Sequence, residues 1–347
     1  VRLFAKICGM ISCEHFFLVG GRESKDEATA RIADIRNHHF DWRLLHVGDW
    51  SIVSATESGK GCGNTWPFCH GKLIPESLPM ETVIEYSHRI VSGVDGLLIL
   101  ILTVWSWMAF KENKRVKVLG FLSLFFVVFQ GILGALTVVF EGTFAKNFSL
   151  ALHFGFSLIS FASVILLTVY LFQLSKPGKK NGLMDMRNTL LAKWLWGLAA
   201  YTYIVVYTGA LVRHSEATMG CGYSFPLCGP TVFPGFSSLA EIHLLHRYFA
   251  FLLFFLVLGT LIFILKKHRD RKDLVHGGWL AFLLITLQAL SGAIIVWTGG
   301  KLMAELLHTT IISAFFAVLS YMCMQIGLPW SKKTHLPDVS TGVGQTS

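Results

Sequence analysis

The chain has 347 residues, 53% apolar and only 15% charged, with a formal charge of +9 and a mean hydropathy of +0.56. Soluble domains carry about 25% charged residues, so this balance argues against an ordinary water-soluble domain and for a chain dissolved in a bilayer. The positive charge lies in short stretches between apolar runs, which makes orientation in a membrane, and not nucleic-acid binding, its explanation.

Residues 1–54 differ from the rest. The stretch GRESKDEATARIADIRNHHFDWRLLHVGDW, 21–50, is too charged to cross hydrocarbon, although 26–36 suits an amphipathic helix. The first twenty residues lack the basic-then-apolar order of a cleavable signal peptide. Seven apolar runs of spanning length follow, at roughly 90–110, 117–140, 149–174, 190–212, 244–265, 278–297 and 304–327. Each is expected to be helical, because the backbone finds no water to bond in lipid. Basic residues fill alternate connections: Lys111 to Lys117, Lys176 to Lys193, Lys266 to Lys272, and Lys332 with Lys333 after the last run. That alternation predicts cytoplasmic basic loops and C-terminus, with the intervening loops outside.

The chain repeats itself. CGNTWPFC at 62–69 is answered by CGYSFPLC at 221–228, EYSHR at 85–89 by HLLHR at 243–247, and FQGILGA at 129–135 by LQALSGA at 287–293. His88 to Gln130 and His246 to Gln288 are both 42 residues. A duplication at fixed spacing predicts two copies of one unit, hence an all-α integral membrane protein of two pseudo-symmetric four-helix bundles. The expected organisation is a non-spanning segment 1–54, a first half-bundle 55–174, a cytoplasmic linker 175–189, a second bundle 190–327 and a cytoplasmic tail 328–347. The apolar run 190–212 precedes the second cysteine pair, yet the charged 21–50 stretch precedes the first, so the first bundle lacks a recognisable first helix. Two explanations stand: real divergence, or a shifted reading frame upstream of residue 55.

Four histidines fall at one depth. His88 and His246 are expected at the outer ends of descending helices, and His153 and His308 in the first turns of two others. Helices at alternate places in an up-down bundle are diagonal, so each half can oppose two imidazoles across its core. Such a pair suits the two axial positions of a haem iron and is too small a set for a closed zinc site. Gly131, Gly134, Ser291 and Gly292 would let a flat macrocycle approach the backbone, or simply let helices pack closely. Arg89 and Arg247 follow two of the histidines, placed to pair with haem propionates or to snorkel to the interface. The halves differ where Glu85 is replaced by His243, three residues before the histidine in each copy. A carboxylate one turn outward of His88 assigns chemistry to the first half and a bound, electron-handling haem to the second. Asp95, an intramembrane acid with Leu253 as its counterpart, has no assigned role. The place of the cysteine pairs in outer loops, where disulfides persist, predicts structural disulfides Cys62–Cys69 and Cys221–Cys228, with a redox role for the first pair as the alternative. Cys8, Cys13 and Cys323 have no counterparts in the repeat.

With these motifs the sequence resembles haem A synthase of the Bacillus type. The resemblance rests on ESGKGCGNTWPFCHG at 57–71, IEYSHR at 84–89, FQGILGALTVVF at 129–140, LHFG at 152–155, YTGALVRH at 207–214, His246–Arg247, LQALSGAIIV at 287–296 and LLH at 306–308. It implies a multi-pass bacterial cell-membrane enzyme that oxidises a ring methyl of haem O to the formyl of haem A by successive hydroxylations, for use in terminal oxidases. By the same resemblance Glu85 is the catalytic acid, His88 and His153 ligate the substrate or product haem, His246 and His308 ligate a haem b cofactor, and both cysteine pairs are disulfides. The implied partners are haem O, delivered by haem O synthase, an electron donor not yet identified, and membrane lipid, with homo-oligomerisation left open. The residues alone also admit a two-haem cytochrome b carrying electrons to or from quinol.

Overall fold

The computed structural model describes residues 58–140, 144–174 and 189–329, together with Val53 and Thr56. The remainder of 1–54, the linker from 175 to 188 and the tail beyond 329 lie outside the described residues, and with them the amphipathic stretch 26–36, Cys8, Cys13 and the missing first helix. Seven long helices are described: α1 (Met80–Ala109), α2 (Lys114–Val139), α3 (Phe144–Leu174), α4 (Thr189–His214), α5 (Leu239–Lys267), α6 (Lys272–Trp297) and α7 (Leu302–Ile326). All seven are long and apolar enough to cross a membrane, and no strand occurs among the described residues. The protein is an all-α integral membrane protein.

Short connections make sequential helices antiparallel neighbours. Thus α1 packs on α2 and α2 on α3, while α4, α5, α6 and α7 close a ring in which α7 returns to α4. The pairs α4/α6 and α5/α7 are the diagonals of that ring. The two halves meet where α3 packs on α7 and α4. Small residues set the approach of the helices. A Cβ on Gly278 would stand 3.2 Å from Leu261, and one on Gly277 2.9 Å from Met322, closing α6 on α5 and on α7. Asn113 caps α2, its Oδ1 accepting from the backbone N–H groups of Arg115 and Val116 at 3.1 and 3.2 Å.

The helices outrun the apolar stretches that announce them. α1 starts at Met80, ten residues ahead of the run beginning near 90, and α5 starts at Leu239. In α1 the polar side chains of Thr82, Glu85 and Arg89 bond to backbone groups of residues 61–68, so the helix continues above the hydrocarbon-like segment. The four histidines therefore lie inside helices, not at their tips.

Each half is topped by a disulfide loop, Cys62–Cys69 with Cα atoms 4.4 Å apart and Cys221–Cys228 with 4.7 Å. Both bonds match the predicted pairing. The glycine before each pair lies directly on the next helix: a Cβ at Gly61 would collide with the backbone of Glu81, and one at Gly220 with that of Leu239. No other residue fits so close an approach. Cys323 is a buried free thiol.

Candidate functional site

His88, His153, His246 and His308 are the ninth, tenth, eighth and seventh residues of α1, α3, α5 and α7. At 1.5 Å per residue they lie about 9–14 Å below the helix starts, in one layer beneath the disulfide loops. α5 and α7 are diagonal, and His246 and His308 are near enough for their charges to interact. His153 is near enough to His88 for the same.

The second half fixes its rings in detail. The Thr208 hydroxyl on α4 lies 2.9 Å from His246 Nδ1 and donates to the Val205 carbonyl at 2.7 Å. The Ser291 hydroxyl on α6 lies 2.8 Å from His308 Nδ1 and donates to the Gln288 carbonyl at 2.9 Å. A glycine follows each hydroxyl and makes room for the ring, since a Cβ on Gly209 would stand 3.1 Å from His246 Cε1 and one on Gly292 3.3 Å from His308 Cε1. In the first half Gly134 plays this part, 3.3 Å from His153 Cε1 by the same measure. Gln130 ties α2 to α3 there, its Nε2 donating to the His153 carbonyl at 2.8 Å.

Above the histidines, two arginines clamp the loops. Arg89 donates from Nη1 to the carbonyls of Thr65 (2.9 Å) and Phe68 (2.8 Å), and from Nη2 to Glu85 Oε1 at 2.5 Å. Glu85 Oε2 accepts the backbone N–H of Cys62 at 2.8 Å, and the carboxylate is buried at 4% exposure. Arg247 repeats the clamp, donating to the carbonyls of Pro226 (3.1 Å) and Leu227 (2.8 Å) with its guanidinium over the Phe225 ring. Among the described residues no acid forms an ion pair with it. Its Nε and Nη2, and Nδ1 of the adjacent His243, are buried without a hydrogen-bond partner. Two donors of a permanently charged group, left over in a buried layer beside a pair of opposed imidazoles, match a carboxylate-bearing ligand with a central metal. This donor set fits a haem better than a bare ion. No group of three or more histidine, cysteine or acidic side chains among the described residues could hold a metal by itself.

Comparison with known proteins converges on the same chemistry. A family model described as COX15-CtaA, cytochrome oxidase assembly protein, matches residues 44–320. The chain belongs to this family. It is 41% identical over 286 residues to a haem A synthase of Alkalihalophilus pseudofirmus, a match covering 82% of this chain and 94% of the relative. It is 40% identical over 279 residues to a haem A synthase of Halalkalibacterium halodurans (79% and 90% covered) and 42% identical over 280 residues to one of Bacillus mycoides (79% and 86% covered).

Within this family member the structure brings the sequence-derived site residues together in two stacked layers. The four histidines form the lower layer, and Glu85, Arg89, Arg247 and the disulfides the upper one. Gly134 and Gly292 lie against histidine rings, whereas nothing stands within 4 Å of a Cβ on Gly131. Asp95 keeps one buried carboxylate oxygen without a hydrogen-bond partner. Sequence reasoning missed Thr208 and Gly209. They lie in the YTGA stretch of α4, whose counterpart in the first half falls upstream of the described residues, so the internal repeat gave no signal for them.

Proposed function

We propose that this protein is a haem A synthase that converts haem O to haem A by oxidising one ring methyl to a formyl group through successive hydroxylations. The observation that carries the reading is the pairing of opposed imidazoles, one pair per half, in a chain whose relatives bear that name over most of their length. His88 and His153 hold the substrate or product haem, and His246 and His308 hold a resident haem b. The bound haem supplies one-electron redox chemistry in the second half. The protein's own groups do the rest. The disulfide loops roof each pocket and keep bulk water from it. Arg247 offers Nε and Nη2 to a propionate, while Arg89 is engaged with Glu85 and the first loop. The ion pair with Arg89 fixes the Glu85 carboxylate over the first-half pocket, where negative charge stabilises positive charge growing at the carbon being oxidised. The alternating basic loops support placing the disulfide end outside a bacterial cell membrane and the C-terminus in the cytoplasm.

Pigment extraction tests this. The full chain, supplied with haem O in a host lacking its own synthase, is expected to yield haem A together with b-type haem. Glu85→Gln is expected to keep the b-type haem and stop formyl production, whereas an unchanged yield of haem A overturns the catalytic role. Replacing both His246 and His308 by alanine is expected to remove the b-type spectrum, and its persistence overturns the ligand assignment.

A further inference from the structure

The hydroxyls of Thr208 and Ser291 have one proton each. Both spend it on the carbonyl three residues earlier in their own helix, Val205 at 2.7 Å and Gln288 at 2.9 Å. At 2.9 and 2.8 Å from the imidazoles, these oxygens can therefore only accept. The ring proton is thereby drawn to Nδ1 in both His246 and His308, and the lone pair is left on Nε2. That is the tautomer a metal ligand needs, and donation from Nδ1–H makes the ring a stronger electron donor. The hydroxyl, polarised by its own bond to a carbonyl, is the better acceptor for it.

In the first half the His153 ring is bonded to the backbone of Gln130 on α2. Gly292 aligns with Gly134, so the position of Ser291 is taken by Leu133, a buried hydrocarbon side chain at 4% exposure. We propose that Thr208 and Ser291 are positioning residues that lock the ligands of the second-half haem. The proposal rests on His246 and His308 being the haem b ligands, and its test separates the two claims.

The test uses the purified full chain in detergent, in a background where His88 and His153 are alanine so that only second-half haem reports. Potentiometric titration and the rate of haem transfer to excess apomyoglobin are measured for Ser291→Ala, Ser291→Thr and Thr208→Val. Losing one acceptor weakens the ligand, and second-shell losses at metal sites run about 10- to 100-fold. The ferric-over-ferrous preference is expected to fall about tenfold, an upward shift of about 59 mV for one electron, and transfer to apomyoglobin to quicken by a similar factor. Ser291→Thr, which restores the hydroxyl, is expected to return both to the parent values. Thr208→Val keeps the side-chain shape, so it carries the test even if Ser291→Ala fails to fold. Parent-like potential and transfer rate in Ser291→Ala and Thr208→Val overturn the proposal. Haem retained after His246 and His308 are both replaced by alanine overturns the underlying ligand assignment instead.

Discussion

Replacing Arg89 by leucine removes three bonds at once: those to the carbonyls of Thr65 and Phe68 and the ion pair with Glu85. The side chains of this pair are only 13% and 5% exposed, so the Glu85 carboxylate is left buried with the Cys62 N–H as its remaining protein donor. Breaking a buried pair from one side costs about 3–5 kcal/mol. Arg247→Leu provides an internal control, because it also removes two loop carbonyl bonds, to Pro226 and Leu227, without stranding an acid. Two such charged bonds, discounted for partial replacement by water, are worth roughly 2 kcal/mol. Since both variants lose two carbonyl bonds, the first-half variant is expected to be the more damaged by the cost of the stranded acid, about 3–5 kcal/mol. The assay is protease cutting of the disulfide loops in detergent-solubilised protein, followed against temperature for parent and both variants. Onset of cutting in the 62–69 loop is expected to fall by on the order of 10 °C in Arg89→Leu, and by less for the 221–228 loop in Arg247→Leu. Equal losses in the two variants, or a first loop as resistant as the parent's, would refute the argument that the stranded carboxylate dominates.

Two further outcomes follow from close approaches. Gly220→Ala drives a methyl into the backbone of Leu239, so the 221–228 loop is expected to lift from α5; mass-spectrometric hydrogen exchange should then show loss of protection in residues 239–243. Gly155→Ala collides with the Tyr207 hydroxyl where α3 meets α4, and is expected to weaken the contact between halves by about 1–3 kcal/mol. A split chain cut in the 175–188 linker should show it as reduced co-purification of its two pieces.

Much of this architecture can be read from the residues. Spanning runs bounded by lysine and arginine give the seven helices, since lipid leaves the backbone no alternative. The histidine layer follows from the repeat, because two copies at equal spacing must build equal geometry. What could not be read is how helices continue past their apolar runs. The turn holding Glu85 and Arg89 looks like a loop by hydropathy, and is helical because a ring of loop carbonyls and a backbone N–H satisfies it. Arg89 and Arg247 were legible as a repeated pair but not as loop clamps; that role depends on carbonyls some twenty residues upstream, at Thr65, Phe68, Pro226 and Leu227. Thr208 is an ordinary threonine in an apolar helix until α5 is packed against it.

The repeat runs parallel: α1, α3, α5 and α7 all start at the disulfide end, and the second half is a rotated copy of the first, not an inverted one. Porphyrins held by the two histidine pairs, as proposed, would thus share one level in the bilayer. A charge displaced across the whole membrane exchanges about 2.3 kcal/mol with each 100 mV of voltage, but one hopping between sites at a common level travels sideways and exchanges almost none. Traffic between two centres so placed would be insulated from how strongly the cell is energised.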